Sequence, residues 1–405
     1  MTPTELRAVG RLGGLVFAGL AARIEQVHQA IAGRAFAPAG LAGAPARVIH
    51  DSVARGVYLA VRGAGLAAGT AAGRAGSVFA AGGQPAGRKP AGNVALAVLN
   101  AVAGDRLGAG LAPLAIGMAV RAGGCDVGLT AEQVAAAFPH ATPRLAVFVH
   151  GLAETEDSWY RKAAQSVPYG SRLQAEFGYT PVYVRYNTGR HISDSGHDLA
   201  GLLDGLVAAW PVPVDEILLV GHSMGGLVIR SACHYGIQAG AAWPGRVRHV
   251  FYLGSPHLGA PLARAAGLAG WVLGQVPETR PFAAVAAGSA SVRDLRHGYV
   301  LDDDWAGCDQ DGCLRDHRGD VPLLAGVNHY AISATVTADP ASPLGAVVGD
   351  LLVQPASAHG QRGPRHHIPF PAELSRGLGA MHHFGLLNHP DVWQAMRGLL
   401  LPAAR

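Results

Sequence analysis

Apolar and polar positions change rhythm near Pro143. Before it the chain is rich in Ala and Gly, and Leu6, Leu12, Val16, Leu20, Ile24 and Val27 recur on one helical face. Asn93 to Arg121 is a second apolar segment, broken by Asp105 and Arg106. Glycine lowers helix propensity, so these helices are expected to need partners, either one another or the following domain. Residues 1–140 therefore read as an Ala/Gly-rich helical N-terminal region, with the Gly/Pro/Arg-rich stretch Gly82–Gly92 as a connection. Within it, Leu107 to Val120 reads as a buried core helix, contact with a membrane surface being the alternative.

After Pro143 short apolar runs alternate with loops and helical patterns. Leu145–Val149, Pro181–Val184, Ile217–Val220, Val247–Leu253 and Tyr330–Val336 are spaced like parallel strands joined by crossover helices, which predicts an α/β domain over residues 141–405. Nearly continuous apolarity fits strands covered on both faces. Several end in polar or glycine-rich sequence: His150-Gly151-Leu152, Arg185 to Gly189, Gly221 to Gly226 and Gly254-Ser255-Pro256-His257. An open sheet of this kind displays its site at those strand ends. Leu258–Leu324 is too long for a simple crossover and is expected to be a helical lid or cap insertion, with Leu268, Trp271 and Phe282 among its apolar residues.

Composition sharpens this picture in a few places. The 405 residues are 49% hydrophobic, ample for a large core. The net charge of +4 is spread along the chain, Lys89 and Lys162 are the only lysines, and no basic stripe interleaved with aromatics argues for nucleic acid. No stretch reaches the length of a membrane span. Gly13–Ala22 after Arg7 and Arg11 is loosely like a signal-peptide core, but Glu5 and the continuing pattern at Arg23-Ile24-Glu25 favour an amphipathic first helix. A cytoplasmic location is expected, with peripheral membrane contact through the N-terminal region as an option and secretion as the alternative. Of Cys125, Cys233, Cys308 and Cys313, only the last two lie close enough for a loop disulfide, and free thiols are the equal alternative.

The chemistry centres on Asp215–Ile229. An apolar run stops at Gly221-His222-Ser223-Met224-Gly225 and a helical pattern begins at once, the strand–turn–helix context of a nucleophile elbow. Strand-HGL, strand-GHSMGG, strand-GSPHLG, Gly349-Asp350 and a late histidine together resemble the lipase/esterase branch of the α/β-hydrolase superfamily, over roughly residues 143–400. Within that branch the chain is similar to bacterial triacylglycerol lipases and GPI inositol-deacylase-like esterases, and it lacks the glycine-rich oxyanion loop of the hormone-sensitive type.

The resemblance implies an α/β-hydrolase fold with a mostly parallel central sheet, and a serine carboxylic-ester hydrolase acting on hydrophobic or lipid-like esters. Ser223 is the expected nucleophile, Asp350 the acid and His383 the base, with main-chain N–H groups of Leu152 and Met224 as oxyanion donors. Asp339 is the rival acid and His382 the fallback base. Leu351 departs from the glycine often found after the acid. His150, His222 and His257 are expected to line the substrate site. An acyltransferase or polyester depolymerase with the same triad, or a membrane-surface protein with a vestigial fold, is the alternative. No cofactor or metal is expected: Gly385 stands where related lipases carry a calcium-binding aspartate, the aspartates between Asp302 and Asp311 lack a calcium-loop spacing, and Cys308, Cys313 and His317 are an incomplete zinc set.

Overall fold

The structure, a computed structural model, describes residues 1–36, 44–80, 83–88, 90–161, 163, 165–260, 288–307, 316–361 and 367–401. Two compact units divide it: one contains Met1–Gly92 and Arg106–Ala115, the other Asn93–Asp105 and the chain from Ile116 onward through the sheet.

In the first unit α1 (Pro3–Phe36) and α2 (Ala44–Val78) form an antiparallel hairpin. Thr2 and Glu5 start α1 as a capping box: the Thr2 N–H donates to Glu5 Oε2 at 2.8 Å and the Glu5 N–H to Thr2 Oγ1 at 3.2 Å. Glycines four apart meet across the seam. A methyl added to Gly10 would lie 2.4 Å from the Gly69 carbonyl oxygen, and one on Gly69 would lie 2.4 Å from that of Gly10. The backbones therefore touch, which no larger residue permits.

The two helices pack on each other, but the expected apolar face is only partly used, since Leu6, Leu12 and Val27 are half-buried. Val16, Leu20 and Ile24, on the face expected to pack, are 63%, 56% and 51% exposed, while Ala8, Gly14, Ala21 and Ala32 are buried. Small residues allow closer helix approach than branched ones, and the closer contact defines the seam. Leu107–Val120 forms neither a core helix nor one suited to a membrane surface. It contains a single 3-10 turn, Ala112–Leu114, and reaches the strand Ala119–Ala122. Among the described residues no helix is long and apolar enough to cross a membrane.

The second unit is built on an eight-stranded sheet: β1 (Ala119–Ala122), β2 (Cys125–Val127), β3 (Arg144–Val149), β4 (Thr180–Arg185), β5 (Glu216–His222), β6 (Val247–Leu253), β7 (Asn328–Ala334) and β8 (Ser375–Leu378). Their order is β2-β1-β4-β3-β5-β6-β7-β8. β1 runs antiparallel to β2 and β4, and β3 to β8 are parallel. The sheet thus begins before residue 140, in a stretch whose sequence reads as helical and which also holds α3 (Pro90–Ala103) and α4 (Ala131–Ala137); strands of three and four residues are too short to show an alternation.

Period-two alternation sorts each strand onto two faces. Leu145, Val147, Val149, Ile217 and Leu219 face α6 (Ile192–Ala209) and α7 (Met224–Gln238) through Leu199, Leu203, Leu206, Leu227 and Val228. Ala146, Phe148, Leu218, Val220 and Phe251 lie on the other side with Trp159, Leu173 of α5 (Tyr169–Phe177), and Val392, Trp393 and Met396 of α8 (Pro390–Leu400). Double coverage explains the near-continuous apolar runs. It also brings the loops after β3, β5, β6 and β7 to one edge. Most of Leu258–Leu324, including Leu268, Trp271, Phe282, Cys308 and Cys313, lies outside the described residues.

Candidate active site

β5 ends at His222, and Ser223 follows with φ 53° and ψ −124° before α7 begins at Met224. A left-handed non-glycine residue is strained, at a cost of about 1–3 kcal/mol, and it persists only where its surroundings fix it. They do so here. The Ser223 N–H donates to the Leu253 carbonyl at 2.8 Å, tying the turn to the end of β6. A methyl on Gly221 would lie 2.6 Å from Gly226 Cα, and one on Gly225 would lie 2.2 Å from the Val149 carbonyl oxygen. Ser223 is partly exposed, between buried His222 and buried Met224.

The loop after β3 presses on this turn, since a methyl on Gly151 would lie 3.0 Å from Ser223 Cβ. The Gly151 N–H is taken by Glu154 Oε2 at 2.8 Å. Leu152 is therefore the next main-chain donor of the loop, partly exposed, and it is followed by Ala153 at φ 58°.

Asp350 and His383 come together at the same edge. His383 Nδ1–H donates to Asp350 Oδ2 at 2.6 Å, and the two side chains are 3% and 1% exposed. The other carboxylate oxygen, Oδ1, accepts the N–H groups of Leu352 at 3.0 Å and Val353 at 2.7 Å. The main chain repeats the link, the His383 N–H donating to the Asp350 carbonyl at 2.9 Å. Leu351 has φ 84°, so the position where related loops carry glycine is left-handed here despite its side chain, which points to solvent at 63% exposure. A methyl on Gly254, at the end of β6, would lie 3.3 Å from His383 Cε1. The imidazole is thus packed against the strand next to the one that carries Ser223.

The rivals are placed differently. Asp339 is exposed and accepts the Ala341 N–H at 2.9 Å within a turn, and His382 is exposed. His359 bonds Ser333 Oγ at 2.8 Å, and His389 caps α8.

The three histidines expected to line a substrate site are all buried. His150 stacks on Tyr186 with centroids 4.5 Å apart, and burial lowers its pKa. His257 lies edge-on to Tyr252 and near Phe370, and burial pushes its pKa well down, with Arg230 acting in the same direction. His222 ends β5, immediately before Ser223. Its Nδ1–H donates to Glu154 Oε2 at 3.0 Å, and its ring lies 4.8 Å from that of His383.

Burial alone would lower the His222 pKa, but the Glu154 carboxylate overrides it and raises it. Burial alone would raise that of Glu154, yet the His222 charge and the Gly151 N–H hold it down at about 2. Glu154 is the residue the sequence did not single out. Carboxylates just after a glycine turn look like solvated loop residues, and only the doublet Glu154 and Glu156 after His150-Gly151-Leu152 could have signalled it. Glu156 is likewise buried and accepts Arg121 Nε–H at 2.7 Å, while Arg121 also bonds Asp126 at 2.6 Å, bracing the loop on the β1–β2 edge. Asp304, one of the clustered aspartates, accepts main-chain N–H groups from Val300, Leu301 and Gly319.

Comparison with known proteins adds one family match. The PGAP1-like alpha/beta domain matches residues 198–309, which include the Ser223 turn. No curated protein matches the chain. Among solved structures, the mature lipase BlEst2 of Bacillus licheniformis is 20% identical, with 65% of this chain and 95% of that one covered and a TM-score of 0.43. Aspergillus fumigatus lipase B is 12% identical over 62% and 50%, with a TM-score of 0.37. The RedJ thioesterase of Streptomyces coelicolor is 20% identical over 64% and 91%, also at 0.37. These likenesses are distant, and the strand order and the strained strand-to-helix turn carry the assignment: the chain has the α/β-hydrolase fold.

Proposed function

We propose that this protein is a serine carboxylic-ester hydrolase acting on hydrophobic esters through an acyl-enzyme. The observation that carries the reading is the buried His383–Asp350 pair, with Nδ1 to Oδ2 at 2.6 Å, at the sheet edge where Ser223 stands in a strained turn. Both Asp350 oxygens hold hydrogen bonds, so the carboxylate stays an acceptor and fixes the imidazole tautomer with Nε2 unprotonated.

Ser223 Oγ attacks the ester carbonyl carbon while its proton passes to His383 Nε2. Negative charge on the former carbonyl oxygen is met by the N–H groups of Leu152 and Met224, the latter at the positive end of α7. Collapse breaks the bond to the alcohol oxygen, which takes the proton from His383. Water then repeats the sequence on the acyl-enzyme and returns free Ser223 and a carboxylic acid.

Hydrolysis of a p-nitrophenyl ester series from acetate to palmitate tests this. Wild type is expected to turn over at least one ester, and Ser223→Ala and His383→Ala to lose at least roughly 1,000-fold in kcat/KM. Wild type inert on the whole series, or variants retaining activity, would overturn the assignment. A preference for an added alcohol over water as acceptor would move the reading to acyl transfer by the same residues.

A further inference from the structure

The α1–α2 hairpin is built inside-out. Its seam carries glycine and alanine, with Gly10 and Gly69 in backbone contact and a Tyr58–His28 hydrogen bond at 3.3 Å, while Val16, Leu20 and Ile24 on α1 and Ile49, Val53 and Val57 on α2 are 51–67% exposed. Each trio recurs every four residues and so forms a continuous stripe. A helix folded in water turns such a stripe inward. Small residues in the seam with bulky apolar residues outside is the arrangement used where the surroundings are hydrocarbon.

Charge is the second, separate observation. Residues 1–80 contain eight arginines and no lysine against Glu5, Glu25 and Asp51. Two of those carboxylates are already paired within the hairpin, Glu25 with Arg62 at 3.2 Å and Asp51 with Arg47 at 3.6 Å. Arg7, Arg11, Arg55 and Arg74 are exposed. No described helix can span a bilayer, so contact would be with its surface.

We propose that the α1–α2 hairpin seats this protein on an anionic lipid surface, the Val16–Leu20–Ile24 stripe entering the boundary between headgroups and acyl chains and the arginines meeting lipid phosphates. A bilayer supplies hydrocarbon for the stripe and negative charge to meet the net positive charge of the hairpin as a whole. The proposal is independent of the ester chemistry.

The test is flotation of the full chain with vesicles of phosphatidylcholine alone or of phosphatidylcholine mixed with phosphatidylglycerol. Wild type is expected to float with the mixed vesicles and to lose at least tenfold in partitioning on the neutral ones. Raising salt to 1 M, which shortens the screening length from about 8 Å to about 3 Å, is expected to weaken binding similarly. The combined Val16→Ser, Leu20→Ser and Ile24→Ser variant leaves the glycine seam untouched and should lose at least tenfold, with its circular dichroism and melting unchanged. If that variant fails to fold, the charge reversals Arg11→Glu and Arg55→Glu should abolish flotation on mixed vesicles. Wild type that stays at the bottom of the gradient with both compositions, or folded variants that float as it does, would overturn the proposal. A dimer in lipid-free solution that the serine substitutions dissociate, without flotation of wild type, would also overturn it and assign the face to a second copy of the chain.

Discussion

Glu154 holds two neighbours through one oxygen: Oε2 accepts both the Gly151 N–H and His222 Nδ1–H. The loop that presses on Ser223 and the residue before Ser223 are therefore tied by a single buried charge. Its folded pKa of about 2 lies below the ordinary 4.5, so its contribution to stability is present above 4.5 and is lost as pH falls towards 2. His222 is shifted the other way, and its share is complete below 6.5 and fades as pH rises through the raised value. The pair thus contributes most between about pH 4.5 and 6.5. Glu154→Gln keeps acceptors but removes the charge. Chemical denaturation should show it about 3 kcal/mol less stable than wild type near pH 6, with the difference shrinking towards pH 2. An unchanged difference across that range would refute the ion pair.

At the level of elements, the turn between β5 and α7 leaves no space on its inner side. Gly225→Ala would drive a methyl into the carbonyl oxygens of Val149 and His150, at 2.2 and 2.6 Å. Displacing the turn by even 1 Å is expected to cost on the order of 100-fold in kcat with KM little changed, readable in the same ester assay. This turn was legible because strand, glycines and serine are contiguous. Val247–Leu253 coincides with β6, and the other four expected strands are matched within two residues. β1, β2 and β8 were not legible, since three or four residues carry no period. Asp350 and His383 could be proposed from short motifs far apart in the chain, but their contact is a product of the fold. The α1 stripe is buried only in part, Leu6, Leu12 and Val27 being half-buried and Val16, Leu20 and Ile24 exposed, because apolar periodicity fixes which residues share a face without saying whether that face meets protein.

For the molecule as a whole, the two readings make a joint expectation. If a basic hairpin brings the protein to lipid and a sheet edge cleaves esters, salt should act on one and not on the other. Hydrolysis of a long-chain ester dispersed in anionic vesicles is expected to fall several-fold in 1 M salt, where surface electrostatics are screened. Hydrolysis of a dissolved short-chain ester should change by less than about twofold, because the Glu154–His222 and Asp350–His383 pairs are buried from the ions. Equal inhibition of both would separate the activity from the hairpin.

The glycine seam has a consequence for how this chain can change. Because α1 and α2 meet backbone to backbone at Gly10, Gly14 and Gly69, with Glu25–Arg62 and Tyr58–His28 contacts beside them, exposed Val16, Leu20 and Ile24 are not needed to hold the hairpin together. Substitutions there can accumulate, or be designed, without unfolding it. If the hairpin seats the protein on lipid as proposed, its outer surface acts as an interchangeable label on a fixed mount: rewriting the codons of Val16, Leu20, Ile24, Ile49, Val53 and Val57 is expected to change where the protein docks and to leave the sheet edge as it is.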